Sequence, residues 1–176
     1  MNKKTLKLML ISTFLLLALS SYSQYDSIPY GGNNRTFLVH LPTGYTGNTD
    51  LPLVIAGKSM GGRVATLLAA SHLLPAQVKG VIAFGYPFHP PKKDSWRTEH
   101  FVDLKRPVLV LQGDRDPFGS SDELAGKSWP LVDIKWLQSG DHDFSPLKKS
   151  GLSQQQLIEQ AASLSRSFID ECILEN

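Results

Sequence analysis

Ser59 is the residue of this 176-residue sequence whose surroundings most clearly suggest chemistry. It lies in the segment 57–62 (Gly-Lys-Ser-Met-Gly-Gly), between the apolar run 53–56 and the helix-like pattern 63–70. Gly-x-Ser-x-Gly between a strand and a helix predicts a sharp turn that exposes the serine hydroxyl as a nucleophile. A tight connection without chemistry can carry the same pattern, so the motif alone leaves both interpretations open.

The residues around Ser59 fit that turn. Gly57 and Gly61 are expected to relieve crowding against the neighbouring strand or helix, where a Cβ would collide. The following helix is predicted to direct its free N–H groups and the positive end of its dipole at Ser59. An anionic intermediate formed at Ser59 would be stabilised there.

An acid and a base follow later apolar strands in the order that a catalytic triad requires. Asp116 comes just after the predicted strand 107–111, at the carboxyl edge where sites in open sheets are built. Alternatively, Asp116 has a structural role, in an Asx turn or as a helix N-cap. Asp114 could have this structural role instead of Asp116. His142 follows the last predicted strand, 133–137, and is predicted to turn back toward Ser59 as general base rather than to be a surface histidine.

Strand and helix patterns alternate along the rest of the chain. The segment 25–34 is predicted to be rich in turns. Further strands are predicted at 35–41 and 78–85, and a short helix at 120–128. A capping box at 153–156 predicts a terminal amphipathic helix. The predicted fold is therefore compact α/β, with a mostly parallel sheet of about five strands flanked by helices.

Substrate contacts are expected from residues near the motifs and from the long connection 88–104. That connection contains His89, Trp96 and Phe101, which either bind ligand or form an aromatic cover over the core. The candidate substrate-binding residues are Lys58, His89, Trp96 and Phe118.

The first 23 residues have the pattern of a secretory signal peptide. Three lysines precede an apolar run that ends in small residues, and this run is shorter than the roughly 20 residues of a membrane anchor. A secreted or periplasmic protein is therefore expected, with residues 24–176 forming one domain. The net charge of +2 comes from the lysines of this leader, so we expect no affinity for nucleic acid.

Cysteine and histidine usage indicates neither a disulfide nor a metal site. Cys172 is the only cysteine, so an internal disulfide is impossible. No Cys/His cluster has the spacing of zinc ligands. The sequence implies no metal and no organic cofactor.

From residue 53 to about 169 the sequence resembles the KANL3/Tex30-type branch of the α/β-hydrolases, which is related to dienelactone hydrolases. Four segments carry the resemblance: 57–63, 85–91, 112–119 and 140–142. The resemblance implies Ser59 as nucleophile, Asp116 as acid and His142 as base. It also implies that the backbone N–H of Met60 is an oxyanion donor.

The earlier segments 30–42 and 51–55 are similar to the openings of secreted feruloyl esterases and polyhydroxybutyrate depolymerases. In those families such a strand leads to a His-Gly oxyanion loop, whereas here it continues directly into Gly57. The second oxyanion N–H normally comes from that loop. Loss of one such donor costs about 10²- to 10³-fold in turnover.

We therefore predict a serine hydrolase of carboxylic esters, favouring small acyl or aryl esters because the chain has no room for a large lid domain. A non-catalytic interaction domain of the same fold is the main alternative, and a shortened chain without selected activity is another. The shortened sheet also predicts self-association as a homodimer through an exposed strand edge.

Overall fold

The computed structural model describes residues 23–30, 32–40 and 51–174. The chain divides into two compact units, residues 1–50 and 51–176. The predicted signal peptide lies outside the described residues, apart from Ser23.

The described part of the first unit is a hairpin of two antiparallel strands. Strand β1 (Ser23–Tyr30) pairs with β2 (Asn33–His40), and Tyr30 lies opposite Asn33. The predicted strand at 35–41 is thus confirmed as β2. The prediction that 25–34 is rich in turns was wrong, because all described residues of this segment except Gly32 belong to β1 or β2.

The second unit contains a parallel sheet with helices on both faces. Its elements in chain order are β3 (Leu53–Lys58), α1 (Met60–Ala70), β4 (Val78–Phe84), β5 (Val108–Gly113), β6 (Val132–Leu137) and α2 (Gln154–Leu174). The strand order is β3-β4-β5-β6, and all neighbours are parallel. This sheet has four strands rather than about five, because the predicted strand at 35–41 pairs in the hairpin.

The two central strands, β4 and β5, carry the core. Alternate residues such as Val81 and Val110 join the cluster on the α1 face, while Ile82 and Leu109 join the cluster on the α2 face. Both faces are covered, which explains why these strands are nearly continuous apolar runs. The edge strands β3 and β6 are more exposed.

Helix α2 begins with the predicted capping box. The N–H of Ser153 donates to Gln156 Oε1 at 2.8 Å, and the N–H of Gln156 donates to Ser153 Oγ at 3.2 Å. Leu157 then packs into the core against the sheet. The capping box and the terminal helix are confirmed.

The short helix predicted at 120–128 was wrong, since this segment forms only turns. Ser120 and Glu123 do bond to each other as a helix start would. Gly126, with φ of 76°, ends the turn before a helix can continue. The first turn of a helix fixes several dihedral angles but forms few hydrogen bonds. A segment as short as this one therefore gains little stability by becoming a helix.

Candidate active site

Ser59 occupies a strained turn between β3 and α1. Its φ of 52° is in the left-handed region, which a non-glycine residue adopts only when its surroundings enforce it. The surroundings do so here: the Ser59 N–H donates to the carbonyl of Phe84 at 2.9 Å, and its carbonyl accepts from the N–H of Arg63 at 3.1 Å. The side chain is therefore held at the carboxyl end of the sheet.

Glycines allow this turn, although not quite those predicted. A Cβ on Gly57 would collide with the backbone of Gly61, so the predicted crowding is confirmed at Gly57. The expectation for Gly61 was wrong, because nothing lies within 4 Å of its Cβ position. Gly62 has that constraint instead, since a Cβ there would lie 2.9 Å from the Cβ of Ala83. Glycine at this position therefore allows α1 to pack closely on β4.

His142 reaches Ser59 from the loop that follows β6. Its Nε2 lies 2.9 Å from Ser59 Oγ, and its Nδ1 lies 2.8 Å from Asp116 Oδ2. The loop is kept in shape by Asp141, whose Oδ1 accepts from the N–H groups of Asp143 and Ser145 at 2.9 Å each. The three residues predicted as a triad are thus brought into hydrogen-bonding contact.

Asp116 is fully buried and accepts hydrogen bonds at both carboxylate oxygens. The N–H of Phe118 donates to Oδ1 at 2.9 Å, which is an Asx turn, while Oδ2 faces His142. The two roles considered for this residue therefore occur together. Asp114, the residue considered for the structural role instead, has its Oδ1 buried without a hydrogen-bond partner among the described residues.

The pKa of Asp116 is raised by burial, which disfavours the charged carboxylate. The hydrogen bond from Phe118 and the nearby His142 oppose this change. All its partners are donors, as an ionised carboxylate requires. With Asp116 ionised, His142 holds its proton on Nδ1, which leaves Nε2 free to accept the proton of Ser59.

Gln112 supports the acid and was not predicted from the sequence. It is fully buried at the end of β5, and its Nε2 lies 2.9 Å from Asp116 Oδ2. Its Oε1 accepts from the N–H of Tyr86 at 2.7 Å, and Nε2 also lies 3.2 Å from the carbonyl of Gly119. The only signal in the sequence is a lone polar residue that ends an otherwise apolar strand.

Met60 is the first residue of α1, where backbone N–H groups have no partner within the helix. No side chain caps this end, because Ser59 Oγ bonds to His142 instead. The side chain of Met60 is 49% exposed, and Arg97 Nη1 lies 3.9 Å from its sulfur. In the four-stranded sheet β3 is an edge strand, so among the described residues no strand lies on its outer side, where a following loop could supply a second oxyanion donor.

The four candidate substrate-binding residues separate into two groups. Phe118 packs on the His142 ring with centroids 4.5 Å apart, and Lys58 forms an ion pair with Asp143. Both therefore lie beside the triad residues.

The side chains of His89 and Trp96 lie in a different cavity, with their rings 5.1 Å apart, although the backbone N–H of His89 donates to the carbonyl of Phe118 at 3.1 Å. They line a cavity of about 250 Å³ whose lining includes none of Ser59, Asp116 and His142. The other residues of its lining are Lys92, Lys93, Asp94, Glu123 and Lys127. Phe101 is buried in the core, as the aromatic-cover interpretation of this connection expects.

Neither a membrane span nor a metal centre is found in the described part of the chain. No helix there is both long and apolar enough to cross a bilayer. No group of three or more histidine, cysteine or acidic side chains there could hold a metal ion.

A parallel sheet covered by helices on both faces, with a serine turn at the end of one strand, is the architecture of the α/β-hydrolase fold. A family model described as an alpha/beta hydrolase domain matches residues 37–170. The chain belongs to this family. The predicted fold class is confirmed, while membership of the KANL3/Tex30-type branch stays a prediction.

The solved structures that are similar to the chain include the following three. An alpha-beta serine hydrolase homologue from Coxiella burnetii is 21% identical, with a TM-score of 0.43 over 65% of this chain and 48% of that chain. A protein of unknown function from Agrobacterium tumefaciens is 17% identical, with a TM-score of 0.46 over 69% and 53%. An esterase domain from Rhodothermus marinus is 19% identical, with a TM-score of 0.38 over 51% and 50%. The chain therefore spans about half the length of the structures that it matches.

Proposed function

We propose that this protein is a serine hydrolase that cleaves carboxylic esters through Ser59, His142 and Asp116. The observation that carries the proposal is the position of His142, with Nε2 2.9 Å from the Ser59 hydroxyl and Nδ1 2.8 Å from the Asp116 carboxylate. Both are hydrogen-bond distances: the first lets a general base remove the proton of the nucleophile, and the second lets the carboxylate orient that base.

In the proposed acylation step, Ser59 Oγ attacks the ester carbonyl while His142 Nε2 takes the hydroxyl proton. Asp116 holds the imidazole in orientation and stabilises the imidazolium that forms. The tetrahedral intermediate then collapses, the alcohol leaves with the proton from Nε2, and Ser59 carries the acyl group. Water repeats the sequence: His142 takes its proton, its oxygen attacks the acyl carbon, and the acid and free serine are released.

The negative charge of the intermediate would be stabilised by the Met60 N–H and the N-terminus of α1. The position of Met60 as first residue of an uncapped helix supports this role. Since β3 is an edge strand of the described sheet, we propose a slow enzyme, in which the described residues outside that edge supply no counterpart to the second donor of related hydrolases. We also propose small acyl or aryl esters as substrates.

The proposal includes the expected location and assembly of the protein. Export through the leader would place the enzyme in the periplasm or outside the cell. Self-association would use the edge strand β3, whose Leu53 is 49% exposed. Such an edge presents unpaired N–H and C=O groups to a second strand.

The edge position of β3 also favours the second candidate function, a hydrolase-fold interaction domain without turnover. Hydrolysis of short p-nitrophenyl esters by wild type and Ser59→Ala separates the two. We expect the rate of Ser59→Ala to fall to that of the uncatalysed reaction. Ser167→Ala, which changes an exposed serine of α2, is the matched control and should keep the wild-type rate. Equal rates in wild type and Ser59→Ala would contradict the hydrolase proposal and favour the interaction domain.

A further inference from the structure

Lys58 and Asp143 form an ion pair that joins the residues next to the nucleophile and the base. Lys58 directly precedes Ser59, and Asp143 directly follows His142. Lys58 Nζ lies 2.6 Å from Asp143 Oδ1 and donates to the carbonyl of His142 at 3.3 Å. The ammonium group therefore contacts the loop of the base on both its side chain and its backbone.

The topology of the sheet makes such a connection useful. Ser59 follows β3 and the His142 loop follows β6, which are the two opposite edges of the four-stranded sheet. At the usual spacing of strands these edges are about 14 Å apart. The base must therefore reach back across two strands, and its distance from Ser59 depends on how the loop is held.

Most of the bonds that hold the loop come from its own side of the sheet. Arg115 Nη1 donates to the carbonyl of Ser139 at 2.7 Å, and Gln154 Nε2 donates to that of Asp143 at 2.8 Å. Among the hydrogen bonds and ion pairs of residues 51–174, only those of Ser59 and Lys58 join the β3 edge to this loop.

We propose that Lys58 is a positioning residue, which through Asp143 holds His142 at hydrogen-bonding distance from Ser59. This inference rests on the proposed function and gives Lys58 a different role from the substrate contact expected from the sequence. The Lys58 ammonium already has a carboxylate and a carbonyl as partners. An ester needs no additional cation, so the pair acts on the base rather than on the ligand.

The electrostatics agree with a formed but exposed pair. The hydrogen bond and charge of Lys58 lower the pKa of Asp143. The two side chains are 50% and 69% exposed, so water and salt screen their attraction. Exposed pairs of this kind have small effects, and we expect about a two- to fivefold change in kcat when the pair is broken.

The test compares the Ser59-dependent ester hydrolysis of Lys58→Met, Asp143→Asn and the exchanged pair Lys58→Glu/Asp143→Lys. We expect each single variant to lower kcat about two- to fivefold with little change in KM, and the exchange to restore part of the loss. Lys135→Met breaks an ion pair on β6 of similar exposure and is the matched control, which should keep the wild-type kcat. Added salt should lower the wild-type kcat toward that of Lys58→Met.

A role in substrate binding predicts other results: KM would rise in Lys58→Met, Asp143→Asn would have no such effect, and the exchange would not restore activity. That pattern, or single variants with unchanged kcat, would overturn the proposal. If the wild type shows no Ser59-dependent turnover, the proposed function fails, but the pair is still testable by NMR without substrate. The Nδ1–H resonance of His142 should broaden in Lys58→Met and sharpen in the exchange, and an unchanged resonance would overturn the proposal.

Discussion

The two halves of the candidate site are built in different ways. The acid half is buried: Asp116 and Gln112 are both fully enclosed, and the carboxylate accepts from the Gln112 amide and from the backbone N–H of Phe118. The nucleophile half is open, since Met60 is 49% exposed and Lys58 lies at the end of an edge strand. The difference shows that one half is determined by packing and the other by backbone strain and exposed charge.

Substitutions should act differently in the two halves. Changes in the acid half should alter both stability and activity, because buried polar groups lose partners that water cannot replace. Changes in the nucleophile half should alter activity alone, because water replaces what is lost at the surface.

The largest expected effect belongs to Asp116→Asn, which removes the charge while leaving the shape. The amide can still accept from the Phe118 N–H, but its other face can donate to His142 and favour the wrong tautomer. We expect kcat for ester hydrolysis to fall by about 10⁴-fold. Circular dichroism should show the folded state retained, and a variant that is folded and active would contradict the role of the acid.

Gln112→Leu tests whether the acid half is held by its hydrogen bonds. The substitution leaves the N–H of Tyr86 and the carbonyl of Gly119 buried without their side-chain partner. We expect the free energy of unfolding in urea to decrease by about 2–4 kcal/mol. Met60→Ala, in the open half, is the comparison and should cost less than about 1 kcal/mol. Equal losses in the two variants would remove the distinction between the halves.

A smaller effect is expected from His100, which is bonded to Thr66 at 2.9 Å beneath the nucleophile helix. Burial and the charge of Arg63 lower the pKa of His100 below its usual 6.5. The unfolded chain therefore binds a proton at His100 more readily than the folded protein does. The stability that neutral His100 contributes is complete above about pH 6.5, the pKa in the unfolded chain. It is lost as the pH falls through the lower pKa of the folded protein.

The melting temperature of wild type should consequently fall more between pH 7 and pH 5 than that of His100→Asn, which retains a donor toward Thr66. His72→Asn, at an exposed histidine, is the control and should follow the wild-type pH dependence. Parallel pH curves for wild type and His100→Asn would show that His100 does not contribute.

The sequence was sufficient to bring the three candidate triad residues together, because each follows a predicted strand and parallel strands bring their carboxyl ends to one edge. It was not sufficient for Gln112, whose partners Tyr86 and Gly119 come from separate segments that only the fold brings together. The same holds for Lys58 and Asp143, whose pairing depends on how far one loop crosses the sheet.

Local conformations were predicted less well where short segments and glycines decide the result. Gly57 and Gly61 have the same sequence context beside Ser59, yet only Gly57 faces backbone atoms. The segment 120–128 has a helix-start pair but too few residues before Gly126 to form a helix. The first outcome depends on a three-dimensional contact and the second on the length of the segment, and neither leaves a periodic pattern in the sequence.

The central claim is that His142 activates the hydroxyl of Ser59. A fluorophosphonate probe tests it directly, because the probe reacts with an activated serine, and peptide mass spectrometry locates the adduct. We expect labelling at Ser59 in wild type, with strongly reduced labelling in His142→Ala and none at that position in Ser59→Ala. Absence of labelling in folded wild type, or equal labelling rates in wild type and His142→Ala, would contradict it.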